Sequence, residues 1–136
     1  AEKHGVTSAD SAEEAVRGAD VVVVACSAKE PVLRGEWLTP GSHIVSIGAN
    51  RPSWRELDDE VLAISKIYVE SRESAAVESG DLIAGGEIFA EIGEVVSGDR
   101  PGRESDGEIT LFKSLGTAVE DIAAADLVYR KATGSI

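Results

Sequence analysis

Three short stretches bring together the side chains most able to do chemistry: "CSA" at 26–28, "GAN" at 48–50 and "FKSLG" at 112–116. Asn50 both donates and accepts hydrogen bonds, which suits orienting a substrate or a cofactor carboxamide, but it cannot act as a general base as a carboxylate does. The competing reading makes it a turn or helix-capping residue before Arg51-Pro52. Gly48 and Ala49 carry no bulk, so they either let a flat ring or a ribose approach the backbone or simply permit a tight strand exit. Ser27 can donate to a cofactor hydroxyl or cap a turn. Lys113 and Ser114 end a strand and precede a helix whose start is ready for an anion or a polar ligand edge, with a structural serine cap as the alternative. Glu78 stands near a helix C-terminus, where the dipole disfavours an acid. That placement fits either a ligand role or a solvated surface glutamate.

Other chemistries find little support. There is no metal-ligand spacing and no serine-nucleophile elbow, and no G-x-G-x-x-G follows a strand, so the phosphate-gripping loop of a dinucleotide fold is not in this sequence. His43 reads as a framework residue at the start of a strand, His4 lies near the chain end, and Cys26 reads as core packing. As the only cysteine, Cys26 fits a reducing compartment. The formal charge of −12 repels phosphate backbones and anionic lipid surfaces. Arg51, Arg55, Arg100 and Arg103 are interleaved with acids and form no basic patch, so nucleic acid is not expected as a partner. No apolar run reaches the roughly 20 residues of a membrane span and no signal pattern opens the chain, so a cytoplasmic protein is the expectation.

These residues need a scaffold that gathers them, and the pattern supplies one. With 136 residues, 43% of them hydrophobic, the chain can bury one core. "SAEEAVRGAD" starts on Ser11, has acids in its first turn and reaches Gly18, which predicts a short helix. "VVVVACS" (21–27), "SHIVSIGA" (42–49) and "KIYVES" (66–71) read as strands covered on both faces, as in a parallel sheet. Helices are expected over 55–65, over "RESAAVESG" to Gly80, and over 87–98, where Ile88, Ile92, Val95 and Val96 repeat at helical spacing. A polar loop at 99–107, a strand over 108–116 and an amphipathic helix from Thr117 follow. The expected fold class is therefore α/β, a doubly wound sheet with right-handed crossovers. Ligands of such sheets bind outside the carboxyl ends of the strands, which puts "CSA", "GAN", "ES" (70–71) and "KS" around one crevice.

"PGSHIVSIGANRPSWRELDDEVL", "YVESRESAAVESGDL", "EIFAEIGEVVSGDRPGR" and "ITLFKSLGTAVEDIAAADLVY", in this order, resemble the ornithine cyclodeaminase/mu-crystallin family, and most of all its mu-crystallin (ketimine reductase) branch. The resemblance covers about residues 6–132. It implies a two-domain subunit that forms a homodimer, with a central Rossmann domain holding NAD(H) or NADP(H). Residues 1–110 then correspond to the second half of the Rossmann domain, and 111–136 to a segment returning to the substrate and dimerisation domain. The helix tail suggested by the first residues fits a chain that starts inside a fold, with the glycine-rich loop and the residue choosing NAD or NADP upstream.

Carried over residue by residue, Ser27, Ser46, Gly48, Ala49 and Asn50 correspond to nicotinamide-side contacts, and Lys113 and Ser114 to a cofactor-contacting turn. Leu115 and Glu78 correspond to the substrate pocket. In the cyclodeaminase branch the position of Asn50 is an acid, so Asn50 favours hydride transfer to the C=N of an imino acid over deamination of L-ornithine to L-proline and ammonia. Trp54 has no aromatic counterpart in the cyclodeaminases. A non-catalytic protein binding a small ligand such as thyroid hormone is a further alternative that the resemblance leaves open. A chain without its phosphate loop is expected to be inactive alone.

Overall fold

The computed structural model describes residues 5–135; His4 and the helix tail expected over the first residues lie outside them. Along the chain run α1 (Ala12–Val16), β1 (Val21–Val24), a 3₁₀ turn (Gly35–Trp37), β2 (His43–Ser46), α2 (Asp59–Ile64) and β3 (Ser65–Val69). Then follow α3 (Arg72–Glu78), α4 (Gly80–Ala84), β4 (Ile88–Glu91), α5 (Ile92–Ser97), β5 (Ile109–Lys113) and α6 (Ala118–Thr133). The strands form one sheet in the order β1-β2-β5-β3-β4 with every pair parallel. All carboxyl ends therefore share one edge. The last strand in sequence is the central one in space, and the 110/111 boundary passes through it.

Side-chain caps start several of the helices. Ser11 accepts from the Glu14 N–H, Asp58 from Val61 and Ser71 from Ser74. Each satisfies an amide that has no partner within its own helix. One face of the sheet, with Val22, Val24, Ile44, Ile67, Val69 and Leu111, packs on Leu33, Leu57, Val61, Leu62 and Ala75. Each Val, Leu or Ile among them, fully buried, contributes roughly 1.5–3 kcal/mol.

Four expectations change. Residues 88–91 form β4, so the helix expected over 87–98 is only its second half, α5. Ile88 and Ala90 pair with β3, and this parallel pairing outweighs the helical spacing. Helix 72–80 is broken at Ser79, whose N–H ends α3 on the Ala75 carbonyl while its hydroxyl caps α4 at Leu82. The helix expected from residue 55 starts at Asp59, because Leu57 bridges to Leu33. Finally, β1 is covered on one face only: Val21 and Val23 are 59% and 61% exposed, since no described element lies over them. No residue of α6 is buried either.

Candidate functional site

Alternation along β5 turns Leu111 and Lys113 toward the helix-covered face, so the Lys113 ammonium ends up in the interior, fully buried. A buried charge is tolerated only when paired and hydrogen-bonded. Lys113 Nζ donates to Ser46 Oγ at 3.0 Å and lies 3.2 Å from Asp81 Oδ2 and 3.8 Å from Glu56 Oε2. The Asp81 contact is close enough for charge attraction but too misaligned for a hydrogen bond, and Oδ2 has no other partner among the described residues. Ser46, Glu56 and Asp81 are fully buried as well.

Glu56 is the hub. Its Oε1 accepts from the Cys26 N–H at 2.8 Å, and its Oε2 accepts from Ser46 Oγ at 2.9 Å and the Gly48 N–H at 3.0 Å. The N–H groups of Glu56 and Leu57 donate to Asp81 Oδ1 at 2.9 and 3.0 Å. One cluster thus fastens the exits of β1 and β2 to β5 and to the first turn of α4. Gly48 belongs to the same closure, because a methyl there would fall on the Cys26 carbonyl and the Glu56 carboxylate. The smallness of Gly48 therefore serves the packing against the β1 exit. Gly80 similarly leaves room for the carbonyls of Arg51, Pro52 and Trp54, and its N–H donates to the Arg51 carbonyl at 3.2 Å.

A second acid fastens the turn after β5. The Glu70 carboxylate, at the end of β3, accepts from the N–H groups of Leu115 at 3.0 Å and Gly116 at 3.4 Å. The backbone of Ser114 continues the ladder by donating to the Ser46 carbonyl at 2.9 Å.

The carboxyl edge assembles most of the residues singled out from sequence. Ser27 and Asn50 are exposed just past β1 and β2, Ala49 is buried, and Ser114 and Leu115 are half-buried past β5. Glu78 is exposed at the end of α3, one residue before the Ser79–Gly80 link that meets the 51–54 loop. Ser46 and Lys113 are present but turned inward, with their polar atoms spent on the buried cluster. Cys26, expected in the core, is exposed beyond the regular part of β1. Trp54 is half-buried, with the Arg51 guanidinium 4.9 Å from its ring centre.

The sequence reading missed Glu56 and Asp81, whose acids stand among other acids in "RELDDE" and after Gly80. The available signal was Lys113 itself, a cation at a core position of an alternating strand, which requires a buried acid somewhere.

The other face of the sheet is separate. A cleft of about 440 Å³ lies against α5 there, with His43, Tyr68, Val95, Arg103 and Phe112 on its walls and none of the strand-exit residues. His43 Nδ1 is 2.8 Å from Thr110 Oγ1. Burial, followed by the nearby Arg103 charge, holds the His43 pKa below its ordinary value against the opposing hydrogen bond with Thr110. No helix among the described residues is long and apolar enough to cross a membrane.

Known proteins share this fold. The mouse protein ketimine reductase mu-crystallin is 56% identical over 120 residues, covering 88% of this chain and 38% of its own length. The Thermococcus litoralis Δ1-pyrroline-2-carboxylate reductase, solved in complex with NADH and L-proline, superposes with a TM-score of 0.89 at 42% identity, covering 98% of this chain and 45% of that one. A probable ornithine cyclodeaminase from Bordetella pertussis Tohama I superposes with a TM-score of 0.82 at 32% identity, over 92% of this chain and 42% of that one. The chain spans less than half the length of these relatives. The family's sequence model matches residues 1–135, and the chain belongs to the ornithine cyclodeaminase/mu-crystallin family.

Proposed function

We propose that this chain is the nicotinamide-facing half of the dinucleotide-binding domain in an NAD(P)H-dependent imine reductase subunit. Residues 1–110 with the rest of β5 form that half-domain, and the segment from there to residue 136 leads to a substrate and dimerisation domain. The observation that carries the reading is Asn50, an exposed carboxamide at the β2 exit of a chain 56% identical to a ketimine reductase over 120 residues.

The residues present suit the ring end of the cofactor. The backbone amides of Cys26, Gly48, Leu115 and Gly116, which could have received phosphate oxygens, are occupied by Glu56 and Glu70. What remains free to a ligand is the Asn50 carboxamide with the Ser27 and Ser114 hydroxyls, a set that fits a carboxamide-bearing ring. When bound, NADH or NADPH supplies the hydride that forms the new C–H bond at the imine carbon; the C=N electrons pass to nitrogen, which takes up a proton. Asn50 orients this encounter without taking that proton, and Leu115 and Glu78 line the substrate side. The products are an amino acid and oxidised cofactor. The subunit works as a cytoplasmic homodimer on small imino acids.

The test is NADH and NADPH titration by calorimetry, for this chain and for the complete subunit, with turnover of Δ1-pyrroline-2-carboxylate by the subunit. Binding by the subunit, weak or absent binding by the chain, and NADH oxidation with the imine support the reading. Ammonia release from L-ornithine would make it a cyclodeaminase, and cofactor binding without any turnover a non-catalytic binder. N50D is expected to lower imine reduction about tenfold or more through lost orientation; an unchanged rate removes Asn50 from the site.

A further inference from the structure

We infer that Glu56 is a positioning residue for hydride transfer. Its buried carboxylate sets the spacing between the two strand exits that hold Ser27 and Asn50, and this inference rests on the reading of the edge as the nicotinamide site.

The sheet ladder stops short of the site. The last paired residues of β1 and β2 are Val24 and Ser46, and one further bond joins the Ile47 N–H to the Val24 carbonyl. Past that point the chains leave the sheet in loops, and no ladder rung joins Cys26–Ser27 to Gly48–Asn50. The Cys26 and Gly48 amides instead converge on the two oxygens of one carboxylate. That carboxylate is itself fixed. The backbone N–H of Glu56 is held by Asp81, its Oε2 by the Ser46 hydroxyl, and Lys113 brings a cation to the cluster from the central strand.

Three strands and a helix start therefore determine one distance at the edge. Ordinary burial would need only apolar groups of the same shape, whereas this cluster spends three full charges in the interior. An ionised carboxylate has no donor and accepts at both oxygens. A carboxamide has one acceptor, so E56Q keeps the volume, leaves one of the two amides unpaired and sets an NH₂ group against an N–H.

The experiment uses the complete subunit, with NADH and Δ1-pyrroline-2-carboxylate as substrates. Misplacement by 1 Å can cost roughly a hundredfold in rate, and partial loosening here is expected to lower kcat about tenfold. The KM for NADH should stay within about threefold, and the deuterium isotope effect from deuterated NADH should rise as hydride transfer becomes limiting. S46A removes one donor to Glu56 and the hydroxyl that accepts from Lys113, leaves both amide bonds in place, and should give a smaller loss of about threefold. It carries the test if E56Q does not fold. Either variant, folded at the assay temperature and showing a lower unfolding midpoint but wild-type kcat and isotope effect, would overturn the inference and leave the cluster as structural cement. An inactive wild-type subunit would overturn the functional reading beneath it, whereas an active wild type with indifferent variants overturns this inference alone.

Discussion

The two faces of the five-stranded sheet are built on opposite principles. On the helix-covered face, polar groups go deep: Lys113, Glu56 and Asp81 are fully buried and mutually paired at the carboxyl edge. On the other face, apolar side chains remain outside, with Val21 and Val23 more than half exposed and the half-buried Phe112 walling the cleft beside α5. Precision at the edge comes from directional bonds that each specify a partner, whereas the open face has shape and oiliness but little that fixes a geometry.

The contrast breaks most sharply at Lys113. Removing one member of a buried ion cluster typically costs about 3–5 kcal/mol, because the partners stay buried and unpaired. K113M should lower unfolding free energy in urea by that amount, and a loss below about 1 kcal/mol would mean that the acids reach solvent or each other. Next in size is G48A, where overpacking against Cys26 and Glu56 should cost roughly 1–3 kcal/mol; the same titration reads it, and a neutral result would show that the β1 exit can retreat.

A smaller effect tests the amino end. The His43 pKa is lowered in the fold, so the unfolded chain takes up a proton at higher pH than the folded one. His43 therefore contributes stability above its ordinary pKa of about 6.5 that is lost as pH falls through the folded value. H43Q should flatten stability against pH between about 7 and 5, and an identical slope would place the titration elsewhere. Glu94 and Glu108, whose pKa values are held low first by backbone N–H donors, lose their contribution in a separate, more acidic window. The smallest change in stability belongs to the open face: V21T with V23T should stay within about 0.5 kcal/mol. It should also reduce self-association in sedimentation velocity, because it breaks an exposed apolar patch on an edge strand.

The same division decides what the sequence makes legible. Strand runs, small-residue exits and helix starts are local, and their pattern alone places "CSA", "GAN" and "KS" along one edge. Long-range polar pairing is not local. Nothing near residue 56 distinguishes its buried carboxylate from the solvated Asp59, and nothing near residue 81 announces that it will hold the amides of residues 56 and 57. The four-valine run of β1 shows a subtler limit, since its composition suits cover on both faces while the described residues supply only one. Segment 88–91 misleads for a related reason: Ile88 matches a helical repeat, and only the neighbouring β3 makes it a strand.

The central place of β5 makes assembly wait on the last of the five strands. As the chain leaves a ribosome, β1 can meet β2 and β3 can meet β4, but these two ribbons share no strand until residues 109–113 emerge. Until then Glu56 and Asp81 have been made without their cation, so burying them early is penalised and the half-sheets are kept from sealing in a wrong order. The arrival of Lys113 closes the sheet and brings a cation to its two buried carboxylates in a single event.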